Sequence, residues 1–273
     1  GYLLTGWFNP DGYDYYADET GVVQKNGVIN VKGPDGTLHN FLMDEQGRLR
    51  GSFNGAEHGG FVEVGGKTYF ASNWKGYLLT GWINPNGYDY YALPIGEIVK
   101  DKVLQVEGKS CAFDATGIFL GNPVANQILH SDKLNTDYYF DGTLTMVKDQ
   151  VITIGQLKHY FKPDGTMLGS FNGADRGGFI TIGGNTYFGS NWKGCLLTGW
   201  FNPNGSDYYA DANGIVQKNT VVNAKGPDGE LHNYLFDADG RLKGSFNGED
   251  RGGFFEIDGK TYFSSNWKGH LLT

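Results

Sequence analysis

Short runs of alternating apolar and polar residues are separated along the chain by turns rich in Asp, Asn, Pro and Gly. Residues 61–64 (FVEV) and 179–182 (FITI) alternate with the period of two that is typical of β-strands. Turn pairs such as Asp11-Gly12 and Asn204-Gly205 can supply the positive φ angles that tight hairpins need. No sustained helical periodicity accompanies them. The pattern predicts an all-β chain of short hairpins.

Two phrases return along the chain at matching intervals. GYLLTGW begins at residue 1 and returns, whole or in part, at residues 76, 194 and 269, in steps of 75, 118 and 75 residues. GSFNG begins at residues 51, 169 and 244. We therefore predict a single repeat array over residues 1–273, with long repeats at about 1–75, 76–193 and 194–268 and the start of a further repeat at 269–273. The middle repeat carries two extra units near 103–150, and we expect the chain to be a piece of a longer array.

A two-stranded hairpin cannot bury enough surface to be stable alone, so each hairpin should stack on its neighbours. The predicted architecture is an elongated solenoid of stacked short β-hairpins. A compact β-sandwich or a propeller that happens to repeat is the alternative. The unequal steps of 75 and 118 residues argue against a closed ring, in which every blade must fit a fixed angle.

Composition supports this interpretation and excludes several functions. The 44 Gly suit a chain that turns often, and 17 Tyr and 18 Phe can fill its interior. The net charge of −8 disfavours nucleic acid and anionic lipid as partners. No apolar run approaches the length of a membrane span, so membrane insertion is not expected. The two cysteines are too few for a disulfide framework.

No catalytic or metal-binding constellation stands out. His39 and His232 are repeat equivalents, and His159 is assigned the same position, so we interpret all three as structural. The sequence DADG at Asp237 imitates a calcium loop, but Gly248 stands at its twelfth position, where such a loop carries Glu. We predict that this segment is not an enzyme and uses no cofactor, although its parent protein can be a glucansucrase or another secreted enzyme.

The hairpin units resemble a known superfamily. A Gly-Trp pair (Gly6-Trp7), a Tyr-Tyr run (Tyr15-Tyr16) and an Asp-x-x-Gly turn beginning at Asp18 resemble the cell-wall-binding repeats. That superfamily includes choline-binding repeats, the glucan-binding repeats of glucansucrases and the receptor-binding repeats of clostridial toxins. The resemblance implies a β-hairpin solenoid, non-catalytic binding near hairpin junctions, and a secreted or cell-surface location in Gram-positive bacteria.

Choline-binding repeats hold a quaternary ammonium in a cage of aromatic rings. The resemblance places a Trp of that cage immediately before the Tyr-Tyr pair, where this chain has Asp14, Asp89 and Asp207. This departure argues against choline.

Carbohydrate sites combine a flat aromatic face with amides and amines that reach the hydroxyls. Three hairpins carry such sets, which resemble the pockets of glucan-binding repeats. The candidate carbohydrate-binding residues are Trp7, Tyr15, Tyr16, Gln24 and Lys25; Trp82, Tyr90, Tyr91 and Lys100; and Trp200, Tyr208, Tyr209, Gln217 and Lys218. Val99 replaces the Gln in the second set, where we expect a weaker or lost site. One ring of each Tyr-Tyr pair should face the core. Trp74, Trp192 and Trp267 are interpreted as stacking elements between units.

These residues predict a non-catalytic carbohydrate-binding repeat module that binds α-glucan and tethers a secreted or surface protein or a glucansucrase. The expected partners are a polysaccharide or cell-wall polymer and the adjoining repeats or catalytic domain of the parent chain. An anchor for choline or another cell-wall component is one alternative. A structural spacer, or an adhesin or toxin arm for host glycans, is another.

Overall fold

The computed structural model of the protein describes residues 2–55, 59–171, 175–246, 252–265 and 268–272. Within these residues the regular secondary structure consists of β-strands, and no helix is present that could cross a membrane. The chain divides into two compact units, Gly1–Leu134 with Phe140–Met146, and Asn135–Tyr139 with Val147–Thr273. The prediction of an all-β chain of short hairpins is confirmed.

The first unit contains five antiparallel sheets, each made by strands adjacent in sequence. Its strands are β1 (Gly6–Phe8), β2 (Tyr15–Ala17), β3 (Gly27–Lys32), β4 (Leu38–Met43), β5 (Leu49–Arg50), β6 (Gly60–Val64), β7 (Lys67–Ala71), β8 (Gly81–Ile83), β9 (Tyr90–Ala92), β10 (Lys102–Val106), β11 (Lys109–Phe113), β12 (Phe119–Gly121) and β13 (Gln127–Ser131). β14 (Thr136–Phe140) lies where the chain passes from one unit to the other.

The second unit contains five two-stranded antiparallel sheets. Its strands are β15 (Gln150–Ile154), β16 (Leu157–Phe161), β17 (Gly178–Ile182), β18 (Asn185–Gly189), β19 (Gly199–Phe201), β20 (Tyr208–Ala210), β21 (Thr220–Lys225), β22 (Leu231–Phe236), β23 (Gly253–Ile257) and β24 (Lys260–Ser264). The extra segment predicted near 103–150 consists of further hairpin strands, which begin with β10 and β11.

The Asp-x-x-Gly phrase after many hairpins forms a turn that its own side chain closes. At Asp18 the carboxylate oxygen Oδ1 accepts the backbone N–H groups of Thr20 (2.9 Å) and Val22 (3.1 Å). Gly21 has φ +82°, which is unfavourable for any residue with a Cβ. The same side-chain-to-backbone hydrogen bonds recur at Asp44, Asp114, Asp141, Asp211 and Asp237.

Main-chain hydrogen bonds connect many of the hairpins to the preceding one. In the first unit the N–H of Leu78, on the segment after β7, donates to the carbonyl of Asn40 on β4 at 2.8 Å. In the second unit the N–H of Leu196, after β18, donates to the carbonyl of Lys158 on β16 at 2.7 Å. Within each unit, consecutive hairpins therefore stack as predicted.

The core lies along the second strand of the hairpins. Phe41, Leu42 and Met43 at the end of β4 are fully buried, and Tyr234, Leu235 and Phe236 at the end of β22 match them. Three consecutive buried residues mean that both faces of the strand are covered. The stacking of hairpins provides this cover, because a hairpin alone leaves one face open.

The interpretation that His159 takes the position of His39 and His232 is wrong. The carbonyls that accept the inter-hairpin hydrogen bonds belong to Asn40, Asn233 and Lys158, so His159 follows this position whereas His39 and His232 precede it. His159 is buried, and its Nδ1 donates a hydrogen bond to the carbonyl of Gly194. Leu157 occupies the position of His39 in this hairpin.

Candidate functional site

Trp7 is packed between two hairpins. It lies opposite Tyr16 across β1 and β2, with ring centroids 5.2 Å apart. The indole also contacts Phe41 and Phe53 at centroid distances of 4.7 and 5.1 Å, and its Nε1 donates to the carbonyl of Lys32 at 2.8 Å. Since the rings around it hold the indole in edge-on contacts, its main role is to connect the first hairpin to the second.

Trp200 repeats this arrangement in the second unit. Its indole contacts Tyr209, Tyr234 and Phe246 at 5.1, 4.7 and 5.0 Å, and Nε1 donates to the carbonyl of Lys225 at 2.8 Å. Trp82 is more open, with 41% of its surface exposed, and contacts Tyr91 at 5.3 Å. Of the three predicted Trp platforms, only Trp82 presents much surface to solvent.

The Tyr-Tyr pairs divide as the alternation of side chains along a strand requires. Tyr90 and Tyr208, the first of their pairs, are buried against Phe61 and Phe179 at 4.9 Å. The second members, Tyr91 and Tyr209, are half-buried, as is Tyr16. Tyr90 and Tyr208, both predicted site residues, therefore lie in the core, as expected for one ring of each pair.

Tyr15 differs from Tyr90 and Tyr208 because its ring remains partly exposed and stacks on Phe8 at 5.5 Å. Its hydroxyl donates to Asp11 at 3.0 Å. Burial and the neighbouring Asp11 carboxylate raise the pKa of Tyr15.

Gln24 and Lys25 lie on the segment that returns after the first hairpin. The backbone N–H of Gln24 donates to the carbonyl of Tyr16 at 2.9 Å. Its side-chain Nε2 donates to Asp18 at 2.8 Å and to the carbonyl of Val22 at 3.2 Å. Hydrogen bonds from the Thr20 hydroxyl and from backbone N–H groups hold the pKa of Asp18 below its usual value. The charged carboxylate thus orients the amide of Gln24.

The stem of Lys25 lies against the turn at Gly47: a Cβ added to Gly47 would lie 3.2 Å from the Cγ of Lys25. Its ammonium group is exposed, and it has no ion pair or hydrogen bond within the part of the chain that the structure describes. Gln217 and Lys218 repeat this corner: Gln217 Nε2 donates to the carbonyl of Ile215 at 2.9 Å, and the Lys218 stem lies against Gly240. Each corner offers an amide oxygen and an amine to solvent.

The middle copy is arranged differently. Val99 is buried, and the ammonium of Lys100 lies 3.5 Å from the carboxylate of Glu63. An apolar side chain and a neutralised lysine replace the amide and the free amine.

A polar cavity of about 360 Å³ adjoins the first Gln-Lys corner. It is lined by Asn26, Asp44, Glu45, Gln46, Arg48, Arg50 and residues 62–65. The Nε of Arg50 is buried there with no hydrogen-bond partner among the described residues. A buried donor without a partner costs folding free energy, and the same burial keeps a ligand oxygen away from it.

A second cavity, which sequence reasoning missed, lies between the hairpin β3–β4 and the turn after β7. Its volume is about 320 Å³, and it is lined by Gly33, Pro34, Asp35, His39, Phe41, Phe53, Trp74, Lys75 and Tyr77. We call it the aromatic pocket. The recurrence of Asp35 and His39 as Asp228 and His232, four residues apart each time, was the available sequence signal.

Trp74 and Trp192 do not stack between units, which corrects the sequence interpretation. They are 70% and 72% exposed. The backbone N–H groups of Trp74 and Trp192 donate to the hydroxyls of Ser72 and Ser190, which close turns that direct the indoles to solvent. Trp267 lies outside the described residues.

Comparison with known proteins confirms the predicted resemblance. Residues 198–216, which span β19, β20 and the turn at Asp211, match the family described as "Putative cell wall binding repeat". This part of the chain is similar to a cell-wall-binding repeat, and it lies among other short hairpins. No curated protein matches the chain.

Several solved structures are similar to the chain. Choline-binding protein F from Streptococcus pneumoniae is 19% identical, with 98% of this chain and 87% of that chain covered and a TM-score of 0.40. CbpJ from Streptococcus pneumoniae TIGR4 is 19% identical over 98% and 94% of the two chains, with a TM-score of 0.43. Alternansucrase in complex with isomaltononaose is 24% identical over 97% of this chain and 16% of that chain, with a TM-score of 0.33.

Proposed function

We propose that this chain is a non-catalytic carbohydrate-binding module that holds a secreted or cell-surface protein on an α-glucan. The observation that carries the proposal is the repeated corner of Gln24 and Lys25, and of Gln217 and Lys218, beside the half-buried Tyr16 and Tyr209. An amide oxygen, an amine and an aromatic edge are the groups that recognise a pyranose and its hydroxyls.

The first corner has additional support from the neighbouring polar cavity. Asn26 follows Lys25 directly and lines that cavity, as does Arg50. The sugar hydroxyls of a bound chain can donate to the carboxylate of Glu45 in that cavity. A polysaccharide that extends from the corner into the cavity would use both groups of polar residues.

Choline is disfavoured by the local structure at the three aspartates. Asn9 donates to Asp14 at 2.9 Å, Asn84 to Asp89 at 2.7 Å and Asn202 to Asp207 at 2.9 Å. Each carboxylate is thereby engaged within the turn of its own hairpin. In these hairpins the position that would supply an aromatic wall is occupied by a short polar side chain that stabilises the turn.

The test is affinity electrophoresis in gels that contain dextran, starch or no polysaccharide. We expect dextran to retard the chain, and replacement of Gln24, Lys25, Gln217 and Lys218 by Ala to reduce the retardation at least tenfold in apparent affinity. Several shallow sites should combine, so a two-residue variant at one corner should lose less than the four-residue variant.

The matched control is Lys100→Ala, which removes the equivalent lysine from the corner that lacks a glutamine. It should leave retardation unchanged. Equal retardation of the four-residue variant and the wild type would remove the corners as sites. Elution of the chain from an amine resin by choline, without retardation in dextran, would favour the anchor for a cell-wall component.

A further inference from the structure

The aromatic pocket combines rings and polar groups from two consecutive hairpins. His39 from β4 stacks on Tyr77 from the following turn, with centroids 4.0 Å apart and an interplanar angle of 11°. The Nε2 of His39 lies 2.8 Å from the carboxylate of Asp35, and the ammonium of Lys75 lies 5.7 Å from the centroid of Tyr77. The stack exists only when the hairpins are in place, since 38 residues separate its members.

Trp74 forms an open wall of this pocket and is held in position. A Cβ added to Gly55 would lie 2.6 Å from Cζ3 of the indole, so the ring rests on a backbone that has no side chain. The exposed 70% of Trp74 makes a flat apolar surface beside the rim formed by Asp35 and Lys75. A positioned, exposed ring is more suited to binding than to packing.

The stacked rings and the aspartate of this pocket recur around His232 in the second unit. His232 stacks on His270 at 4.0 Å and 6°, and its Nε2 lies 2.8 Å from Asp228. Tyr234 and Phe246 take the places of Phe41 and Phe53, with centroids 5.8 Å apart in both pairs. The sets around His39 and His232 contain partly different rings, but both keep a stacked pair of rings beside an aspartate.

The described residues of the middle repeat do not assemble this set of side chains. Leu157 and Cys195 stand where the stacked rings would be, and the short turn at residues 155–156 replaces the turn that carries Asp35. Trp192 is nevertheless as exposed as Trp74. The chain thus contains an exposed Trp with the pocket and another without it.

We propose that the aromatic pocket is a second, separate pyranose subsite, in which one sugar ring lies on Trp74 and its hydroxyls bond to Asp35 and Lys75. This inference deepens the proposed function and rests on it, because it assigns the same class of ligand to a different place. The volume of about 320 Å³ lies at the small end of small-molecule sites, which suits one or two sugar rings.

The charges of the pocket favour a neutral ligand with hydroxyl groups. The hydrogen bond from His39 holds the pKa of Asp35 below its usual value, so its carboxylate is charged at neutral pH and can accept from a hydroxyl. Lys75 supplies a donor and a positive charge at the same rim. A quaternary ammonium would be repelled by the positive charge of Lys75, and an anionic ligand would be repelled by the carboxylate of Asp35.

The experiment is ¹⁹F NMR of the whole chain labelled with 5-fluorotryptophan, titrated with isomaltotriose and separately with choline. Trp74→Phe and Trp192→Phe assign the two signals. We expect the Trp74 signal to shift saturably with isomaltotriose and the Trp192 signal to remain unchanged. Asp35→Asn should weaken the isomaltotriose affinity read from Trp74 about tenfold, the equivalent of one charge-assisted hydrogen bond.

Two outcomes separate this inference from the proposed function. If dextran retards the chain in gels but isomaltotriose leaves Trp74 unshifted, the subsite is wrong and the glucan-binding corners stand. If Trp74 shifts while the four-residue corner variant is retarded as strongly as the wild type, the subsite stands and the corners fail. Equal shifts of Trp74 and Trp192, or a shift of Trp74 with choline alone, would overturn the inference.

Discussion

Replacement of Trp200 by Ala should destabilise the second unit strongly. The indole contacts Tyr209, Tyr234 and Phe246 at centroid distances of about 5 Å and donates a hydrogen bond to Lys225. Truncation of a large aromatic side chain in a core costs about 3–5 kcal/mol. Since Trp200 is half-buried, we expect about 3 kcal/mol, of which about 1 kcal/mol is the hydrogen bond.

Urea unfolding followed by far-UV circular dichroism measures this loss without relying on the fluorescence of the residue removed. With an m-value of about 1–3 kcal/mol per molar urea, the midpoint should fall by about 1 M or more. Trp200→Phe keeps the aromatic contacts but loses the hydrogen bond, so its urea midpoint should fall by about a third as much as that of Trp200→Ala.

The matched control is Trp192→Ala, which removes an indole that is 72% exposed. Its free energy of unfolding should change by no more than about 0.5 kcal/mol, as for an ordinary surface substitution. If Trp200→Ala unfolded at the wild-type midpoint yet lost retardation in dextran, Trp200 would be a ligand platform, and our assignment of its indole to the packing between hairpins would be wrong.

Two further predictions concern stability. Burial lowers the pKa of His159, so the folded state resists the proton that the unfolded state takes up as pH falls below about 6.5. Stability should therefore decline from pH 7.5 to pH 5, and His159→Tyr should flatten that decline in thermal melts. An unchanged slope would contradict this role of His159. Gly177 (φ +60°) and Gly183 (φ +55°) share a left-handed backbone, but a Cβ at Gly177 would clash with the carbonyl oxygen of Gly189, whereas one at Gly183 meets nothing within 4 Å. Gly183→Ala should cost about 1 kcal/mol and Gly177→Ala clearly more. Equal urea midpoints of the two variants would show that the backbone near Gly177 yields.

The hairpins could be predicted from sequence because their determinants are local. The alternation in residues 61–64 and the Asp-x-x-Gly turn at Asp18 act within a few residues, and the structure forms β6 and the turn there. The sorting of the Tyr-Tyr pairs followed from strand alternation alone, although which member is buried depended on the neighbouring hairpin that brings Phe61 to Tyr90.

The errors arose where the determinant is not local. The sequence interpretation gives His159 the position of His39 because each stands shortly before an aromatic residue, Tyr160 and Phe41. However, the turn before β4 holds residues 33–37 and the turn before β16 only residues 155–156. This difference shifts the alignment of the two hairpins. The aromatic pocket was missed because His39 and Tyr77 meet only through the stacking of hairpins, which no spacing within one hairpin reveals.

The way hairpins are connected explains how binding residues can vary while the fold is kept. Leu78 bonds to Asn40 and Leu196 to Lys158 through main-chain atoms alone, with nearly the same distances, although the accepting residues differ in side chain. A change from tyrosine to cysteine at the position of Tyr77 therefore leaves the connection intact, as Cys195 shows. The main-chain hydrogen bonds at the junctions therefore place little restriction on which side chains occur there, and the contacts of the side chains themselves place more. Where a junction with few such demands still repeats a stacked ring and an aspartate, as around His39 and His232, ligand binding is the simplest physical reason for the set to recur.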